Sequence, residues 1–283
     1  MHVQSAGTYI DATFGRGGHS RALLERLGPS GRLIVFDRDP QAIGYARELA
    51  AKDARVTVLQ QAFSAIAQCA AQDVDGILFD LGMSSPQVDD ATRGFSFRHD
   101  GPLDMRMDPH SGDSVATWLA RAEEHEIADV LWQFGDERRS RVIAKRVVEA
   151  RLRAPLTTTL ELVKVVHSCF PYRAGRIDNA TRTFQALRIF INDEMGEIER
   201  ALAQALHLVR IGGRILVIAF HSLEDRFVKR HFRELDKLAR DTASVRPPCF
   251  RLVARRSVQA SASEIAANPR ARSARLRVVE RVA

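Results

Sequence analysis

The sequence predicts an α/β fold with a mostly parallel sheet and a small helical domain inserted into it. Through residue 80, short apolar runs alternate with amphipathic stretches, the pattern of strands joined by crossover helices. The alternation then stops, and from residue 114 to about residue 170 apolar residues recur at i, i+3, i+4 and i+7. We therefore expect a sheet-containing domain from residues 1–100 and 184–283, and an inserted helical domain at residues 101–183.

Local signals predict the individual elements. Strands are expected at residues 7–11, 32–37, 55–59, 75–80 and 214–220, and helices at 19–27, 40–51, 64–71, 184–209 and 223–238. Asp39 before Pro40 predicts a helix N-cap, and Thr158 with Glu161 predicts a capping box. The Gly212–Gly213 pair predicts the end of the long helix, residues 81–87 are loop-like, and the C-terminal region predicts an antiparallel hairpin with basic loops.

The stretch at residues 9–19 predicts a ligand site. Gly15, Gly17 and Gly18 follow the first strand and allow backbone to approach a ligand closely. The helix that begins near His19 directs its free N–H groups to the same place. Asp37 ends the second strand about 20 residues further on, where a βαβ nucleotide site has its ribose-binding carboxylate.

The spacing differs from the dinucleotide fingerprint, because Ser20 stands where a third glycine is required. An acid precedes the glycines instead, in the pattern Asp11-x-Thr13-x-Gly15-x-Gly17. This pattern resembles the first motif of the class I S-adenosylmethionine-dependent methyltransferases, which have a Rossmann-like sheet, although Thr13 stands where a first glycine is usual. A carboxylate beside a sulfonium cofactor is physically sensible, whereas a tight strand-to-helix connection without any ligand is the alternative.

Acids follow three of the predicted strands directly: Asp11, Asp37 and Asp80. The carboxyl ends of parallel strands meet at one edge of a sheet, and ligands bind there. We therefore expect the three carboxylates to converge on one rim, together with His221 at the end of the fifth strand.

Composition limits the partners and the compartment. The chain has 42 Lys+Arg against 35 Asp+Glu, and the resulting net charge of +7 favours a polyanionic partner. The cysteines, Cys69, Cys169 and Cys249, are far apart, so neither disulfides nor a zinc site are expected and a cytoplasmic location fits. No apolar run reaches membrane-spanning length and no signal-peptide pattern is present, so we expect no membrane partner.

Several segments suggest contact with nucleic acid. Phe95 and Phe97 lie in an irregular segment, where they either stack on unpaired bases or anchor the segment to the core. A basic helical stretch either contacts phosphate or is a solvated face; it contains Arg138, Arg139, Arg141, Lys145 and Arg146. The C-terminal arginines form the more credible footprint; they are Arg246, Arg251, Arg255, Arg256, Arg270, Arg272, Arg275 and Arg277.

Longer sequence motifs, spread over nearly the whole chain, resemble those of the bacterial family of ribosomal RNA small subunit methyltransferase H, which methylates cytosine N4. They lie at residues 11–20 (Asp-Ala-Thr-Phe-Gly-Arg-Gly-Gly-His-Ser), 36–42, 80–87 (Asp-Leu-Gly-Met-Ser-Ser-Pro-Gln), 93–97, 100–108, 180–189, 219–226 and 268–274. Two departures stand out. Asn179 replaces a common proline, and the family's longer N-terminal lead-in is shortened here, so some lid contacts are expected to be absent or supplied differently.

The resemblance implies that S-adenosylmethionine is the cofactor and that no metal is needed. It implies backbone contacts at Gly17, Gly18 and His19, ribose contact by Asp37, adenine contact near Phe63, and further contacts from Asp80 and Gln87. The residues themselves support most of these roles, since Asp37 can accept from both ribose hydroxyls and Phe63 offers a flat apolar face. Phe63 as an ordinary core residue is the alternative, and Gln87 rests on the family alone.

The resemblance also implies an acceptor, a cytidine in 16S ribosomal RNA within the small subunit, and a homodimer as a family-level expectation. The N4 amine is a poor nucleophile, so a group that accepts its proton would assist the transfer. Asp104 or Asp80 is the candidate acceptor, with His221 placing the base or taking the proton; Asp104 paired with Arg106 is the alternative. A paired cytosine is out of reach, so the target is unpaired or extruded.

Other functions remain open on the sequence alone. A nucleotide-binding oxidoreductase explains the βαβ start but leaves Asp11 and the arginine-rich C-terminal region unused. A non-catalytic ribosome-assembly factor explains the charge, and a methyltransferase acting on another acceptor, protein or DNA, shares the fold.

Overall fold

The computed structural model describes residues 1–69, 71–171, 178–240 and 249–283. These residues form two compact units. The sheet unit comprises Met1–Gly82 and Gly196–Ala283, and the helical unit comprises Met83–Met195. Both borders differ from the predicted domains, because residues 83–100 and the start of the predicted long helix pack in the helical unit. Within the described ranges, no helix is both long enough and apolar enough to cross a membrane.

The strands all belong to one sheet in the sheet unit. They are β1 (Thr8–Asp11), β2 (Arg32–Asp37), β3 (Val56–Gln60), β4 (Val74–Asp80), β5 (Val209–Ala219), β6 (Phe250–Leu252), β7 (Val258–Gln259) and β8 (Arg275–Arg281). Their order is β3-β2-β1-β4-β5-β8-β6, and β7 also pairs with β8. The first five strands run parallel to one another, which confirms the predicted mostly parallel sheet.

The helices are α1 (Gly18–Leu24), α2 (Pro40–Lys52), α3 (Ser85–Asp89), α4 (Val115–Arg121), α5 (Glu124–Gly135), α6 (Ser140–Arg151), α7 (Thr159–Ser168), α8 (Ala180–Ile191), α9 (Glu194–Leu208), α10 (Ser222–Leu238) and α11 (Ala262–Ala267). Short 3₁₀ helices occupy Phe63–Gln68, Ala91–Arg93 and Pro269–Ser273. The predicted caps are confirmed, since Asp39 accepts from the backbone N–H of Gln41 and Thr158 forms a capping box with Glu161. The predicted helix at 64–71 is instead a 3₁₀ helix, and the predicted loop at 81–87 contains the start of α3.

The predicted single helix over residues 184–209 is wrong, because α8 and α9 are separate. The side chain of Asn192 is buried and bonds backbone 85 or more residues earlier in the sequence, accepting from Met107 N and donating to Met105 O at 2.7 Å each. Asp193 then takes a left-handed φ of 47°. The apolar stripe continues through this break, which is why the periodicity did not show it.

The Gly212–Gly213 pair lies inside β5 and not at a helix end. β5 pairs Val209 with Val74 and Arg214 with Gly76, so the extra residues bulge where the register shifts. A side chain at Gly213 would lie 2.7 Å from Val209 Cγ1, so the bulge requires glycine.

The C-terminal strands confirm the predicted antiparallel pairing, and they also extend the main sheet. β8 runs antiparallel to β5, with Val217 opposite Arg277, and β6 and β7 both pair with β8. The sequence predicted a terminal antiparallel hairpin at this point without placing it in the sheet.

The helical unit is built from α3 to α8, of which α4 to α7 lie within residues 114–170, where the helical period predicted helices. Phe95 is only 7% exposed in its core, and the Phe97 ring meets Phe184 edge-on with centroids 4.8 Å apart. The structure thus confirms that these two aromatic residues anchor the irregular segment.

Candidate functional site

Three carboxylates end three adjacent strands of the sheet unit. Asp11 on β1 lies opposite Val35 of β2 and Leu78 of β4, so the ends of these strands, with Asp37 and Asp80, face the same edge. The predicted convergence at the carboxyl edge of the sheet is therefore present.

Asp11 holds the loop together. It is 1% exposed, and its two oxygens accept from Ser20 Oγ at 2.6 Å and from Thr13 N at 3.2 Å. Burial raises its pKa above the ordinary value. The sequence predicted Asp11 directly beside a charged ligand, and a carboxylate enclosed in this way does not fit that position. Asp11 instead stabilises the loop and the start of α1.

The glycine-rich turn is shaped for close approach. Gly17 is the N-cap of α1 at φ 71°, and a Cβ there would lie 2.6 Å from the Phe14 ring. A Cβ on Gly18 would meet no atom within 4 Å, so the space beside this residue is open. No side chain caps α1, which leaves first-turn N–H groups without helical partners, those of Gly18 and His19 among them. The turn thus presents donors beside open space.

Asp37 fixes the turn from the second strand. One carboxylate oxygen accepts from Gly15 N at 2.8 Å and the other accepts from Asp39 N at 2.9 Å. Burial raises the pKa of Asp37 to about 6, against the effect of these two hydrogen bonds. Each oxygen retains a further acceptor site, so the carboxylate can still receive hydroxyl donors.

Asp80 is linked to both sides of the turn. Its backbone N–H donates to Thr13 Oγ1 at 2.6 Å, and its Oδ2 lies 3.4 Å from His19 Nε2. The hydrogen bond with Asp80 is the main reason that the pKa of His19 is raised. Asp80 Oδ1 is buried and accepts no hydrogen bond from the described residues. An unsatisfied buried carboxylate oxygen is costly, and it marks a position for a donor supplied by a ligand.

Phe63 begins the 3₁₀ helix that follows β3. The ring is partly buried and meets the buried Phe79 ring edge-on, with centroids 5.9 Å apart. It is therefore supported by the core without being enclosed in it. The contact of Phe63 with adenine stays a prediction.

Two polar residues of α9 hold the Phe63 turn, and sequence reasoning missed both. Gln204 Nε2 donates to Ser64 O at 2.7 Å, and Gln204 Oε1 accepts from Ala67 N at 3.0 Å. Glu197 is buried and accepts from Ser64 Oγ at 2.9 Å. Their spacing of seven residues on one helix face was the only available signal, because their partners lie more than 130 residues away.

His221 is the N-cap of α10 at the carboxyl end of β5, the strand next to β4. Its Nε2 lies 3.1 Å from Glu224 Oε1, and Glu224 also accepts from Phe220 N at 2.8 Å. These two atoms are close without forming a hydrogen bond, and His221 Nδ1 instead accepts from Glu224 N at 3.4 Å, so the imidazole caps α10 at the predicted edge. Its action on a substrate stays a prediction.

Asp104 and Gln87 belong to the helical unit. Both carboxylate oxygens of Asp104 accept hydrogen bonds from the Arg106 guanidinium, at 2.8 and 2.7 Å. This bidentate ion pair confirms the predicted alternative in which Asp104 pairs with Arg106. Burial works to raise the pKa of Asp104, but Arg106 outweighs it and the pKa lies below the ordinary value. Gln87 is 6% exposed and accepts from Ser84 N at 2.9 Å in a capping box. The catalytic role of Asp104 and the cofactor contact of Gln87 stay predictions.

The predicted basic segments are only partly available. Arg277 is 9% exposed and donates to both oxygens of Asp225, and Arg139 donates to Cys169 O at 2.5 Å. Arg246 lies outside the described residues. The other C-terminal arginines are exposed: Arg251, Arg255, Arg256, Arg270, Arg272 and Arg275.

Known proteins resemble the chain over its full length. The model of the MraW methylase family matches residues 1–282. The ribosomal RNA small subunit methyltransferase H of Xanthomonas campestris pv. campestris strain B100 is 50% identical over 288 residues, which cover 100% of this chain and 84% of the relative. The protein of the same name from Stenotrophomonas maltophilia strain K279a is 49% identical over 290 residues, with 99% and 89% coverage.

Proposed function

The chain belongs to the MraW methylase family, and on this premise we propose that it transfers a methyl group from S-adenosylmethionine to the N4 amine of a specific cytidine in 16S ribosomal RNA. The observation that carries the proposal is the full-length match to relatives named for small-subunit rRNA methylation. The glycine turn and the three carboxylates at one sheet edge support the proposal.

The residues at the sheet edge fit this cofactor. When bound, S-adenosylmethionine supplies an electrophilic methyl group on a sulfonium that also carries an ammonium and a carboxylate. The buried Asp80 Oδ1 lacks a donor among the described residues and suits the ammonium. The open space in front of Gly18 and the donors of the first α1 turn suit the close approach of polar ligand atoms.

Asp37 and Phe63 would hold the nucleoside part. The remaining acceptor sites of the Asp37 carboxylate suit the two ribose hydroxyls, and the Phe63 face suits adenine. We also assign Gln87 as a cofactor contact, on the basis of the family pattern alone. These assignments require that Asp37 is ionised and that the 3₁₀ helix carrying Phe63 stays in place.

Asp104 and His221 are our candidates for action on the cytosine. A carboxylate that accepts from the exocyclic amine would increase the nucleophilicity of its nitrogen during transfer. Burial works to raise the pKa of Asp104, but Arg106 lowers it and favours the carboxylate. Oδ1 already accepts from both the backbone N and the Nε of Arg106, whereas Oδ2 accepts only from Arg106 Nη2 and keeps a further acceptor site. His221 is oriented by Glu224 and would place the base or take the proton. Asp80 is the alternative acceptor.

We assign RNA recognition to the helical unit. Its α6 region presents exposed cations that form no hydrogen bond or ion pair within the described ranges, namely Arg138, Arg141 and Lys145. Trp132 on α5 is 60% exposed, and an exposed aromatic ring can stack on an unpaired base. The substrate would be the rRNA in the small subunit, in the cytoplasm, and we retain a homodimer as an expectation for sedimentation analysis.

The test is methyl transfer from labelled S-adenosylmethionine to small ribosomal subunits from cells that lack this enzyme, with naked 16S rRNA in parallel. Nucleoside digestion and mass spectrometry should then show N4-methylcytidine only when the enzyme is present. The Asp37→Asn variant should lose label at limiting cofactor, while Asp73→Asn, at an exposed acid just before β4 and away from the carboxyl edge of the sheet, should not.

Other results would point elsewhere. Label on ribosomal protein, or none with cofactor binding intact, would replace the rRNA acceptor by another one. RNA binding without any cofactor binding would favour a non-catalytic assembly factor.

A further inference from the structure

α10 and the turn that follows it carry a continuous row of exposed cations. The row contains Arg226, Arg230, Arg233, Lys237 and Arg240. These positions follow i, i+4, i+7, i+11 and i+14, so they fall within about 80° of arc at 100° per residue. The row is about 21 Å long at 1.5 Å per residue. We call these five residues the α10 basic stripe.

The stripe is not neutralised by the protein. Four of its members, Arg226, Arg230, Arg233 and Lys237, form no hydrogen bond or ion pair with another residue in the described part of the chain. Like charges four residues apart destabilise a helix, so this arrangement does not serve the stability of α10. A row of unpaired cations on one helix face is the electrostatic footprint of a polyanion.

The acids of α10 are mostly engaged elsewhere. Asp225 accepts a hydrogen bond from Arg277 of β8. Glu224 is buried and accepts from the backbone N–H of Phe220. Asp236 accepts from Leu252 N and pairs with Arg240 at 3.0 Å. Glu234 is the one remaining acid of the helix, and it is exposed beside the stripe. The exposed face therefore keeps a strong positive excess.

One end of the stripe forms a basic cavity of about 270 Å³. It is lined by Arg233, Asp236, Lys237, Arg240, Leu252 and Arg255. Arg255 comes from the arginine-rich C-terminal region that the sequence singled out. The cavity thus joins the stripe to that region on the same surface of the sheet unit.

The other end of the stripe begins near the candidate site. α10 starts directly after His221, at the carboxyl end of β5, and Arg226 lies on its second turn. From there the stripe runs away from the carboxyl edge of the sheet. A strand whose target base is held at this edge could therefore continue along α10, facing a cation at about every 5 to 6 Å of helix axis.

We propose that the α10 basic stripe and its cavity bind the phosphate backbone of the rRNA strand that carries the methylated nucleotide. This inference rests on the proposed function, since it names the partner surface for the same substrate. Phosphate contacts of this kind position the strand without reading its bases, so they act on affinity and leave the chemistry to the site.

The test compares two triple variants with the same change in charge. Arg230→Gln/Arg233→Gln/Lys237→Gln removes the centre of the stripe. Arg26→Gln/Arg32→Gln/Lys52→Gln removes three exposed cations from the turn after α1, from β2 and from α2. Binding to unmethylated small subunits and to a 16S rRNA transcript is measured over a range of KCl concentrations. Methylation kinetics, the Kd for S-adenosylhomocysteine and binding to phosphatidylglycerol vesicles are measured in parallel.

We expect the stripe variant to lose about tenfold or more in RNA affinity near 0.15 M salt and to lower the slope of log K against log salt by about 2, at roughly 0.7 per cation. Its KM for the RNA substrate should rise by a similar factor, with kcat and the Kd for S-adenosylhomocysteine unchanged. The control triple should change RNA affinity less than about twofold, since its cations lie away from the strand.

Three results would overturn the proposal. These are unchanged RNA affinity in the stripe variant, an equal loss in both variants, and a loss of vesicle binding alone, which would assign the stripe to a membrane surface. Failure of the proposed function would be observed separately: the wild-type protein would bind RNA but transfer no methyl group to it. In that case the binding series still decides whether the stripe holds RNA.

Discussion

The hydroxyl oxygen of Thr13 accepts a hydrogen bond from the backbone nitrogen of Asp80 at 2.6 Å. Thr13 lies where the related methyltransferase motif has its first glycine, so a side chain here could have been an obstacle. Instead it joins the loop after β1 to the end of β4, and it places Asp80 relative to the glycine turn. The departure from the motif is therefore a positioning contact in this chain.

Replacing Thr13 by valine should weaken both the fold and cofactor binding. Valine keeps the shape but leaves the Asp80 N–H without its acceptor, which costs about 1–3 kcal/mol of unfolding free energy. Urea denaturation and calorimetric titration with S-adenosylhomocysteine measure the two effects. Thr13→Ser retains the hydroxyl and should bind close to wild type; a valine variant as stable and as tight as the serine variant would refute the contact.

Cofactor affinity should depend on the ionisation of Asp37. Its pKa is raised to about 6 by burial, so the neutral carboxyl is populated below that pH and accepts hydroxyl donors poorly. Binding of S-adenosylhomocysteine should therefore weaken several-fold between pH 7.5 and pH 5.5, and it should release protons near pH 6. Calorimetry in buffers of different ionisation enthalpy measures that release.

The Asp37→Asn variant is the control for this titration, and its binding should show less proton release.

The raised pKa of Asp37 also makes the stability of the folded state depend on pH. The folded state holds a proton that the unfolded state has lost between about pH 4 and pH 6, so this group's contribution to stability falls as pH rises through that window. Stability that rises with pH there in wild type relative to Asp37→Asn would contradict the burial of this carboxyl.

His19 should titrate above the ordinary histidine range because of Asp80. The Asp80 hydrogen bond is the largest cause of its raised pKa, so the Asp80→Asn substitution should return the His19 pKa toward 6.5. The favourable interaction is fully present below that unfolded value and is lost as pH rises through the folded pKa. An NMR titration of the His19 ring in both proteins measures the difference.

Gln204 should act on cofactor binding through the Phe63 turn. Gln204→Met removes the bonds to Ser64 O and Ala67 N while it keeps side-chain length and helix propensity. We expect the KM for S-adenosylmethionine to rise by about three- to tenfold with kcat retained, because uniform binding is lost. The matched control is Glu199→Met, an exposed position on the same helix, which should leave both constants unchanged; a fall in kcat alone would contradict a positioning role.

Much of this fold was predictable because the signals are local. The apolar runs of β1 to β4, the glycine turn and the Asp39 cap each depend on residues within a few positions of one another, and all appear as predicted. The convergence of Asp11, Asp37 and Asp80 was also predictable, since parallel strands joined by right-handed crossovers share a carboxyl edge.

Other features depend on partners that are remote in sequence. Asn192 breaks the predicted long helix because its side chain meets backbone at Met105 and Met107, and no helical period contains that information. The same holds for Arg277, which looked like a free nucleic-acid contact until β8 paired with β5 and placed it against Asp225.

The sequence by itself determined the strands through β4 as members of a parallel sheet, the glycine turn and the family, because local patterns and motifs specify them. Only the tertiary structure decided what each polar group of the site does. Asp11 became a buried brace, Asp80 kept one oxygen without a donor among the described residues, and Gln204 became the support of Phe63. The physical reason is that burial and hydrogen-bond partnership are set by segments far apart in the chain, and they alone determine which groups stay available to a ligand.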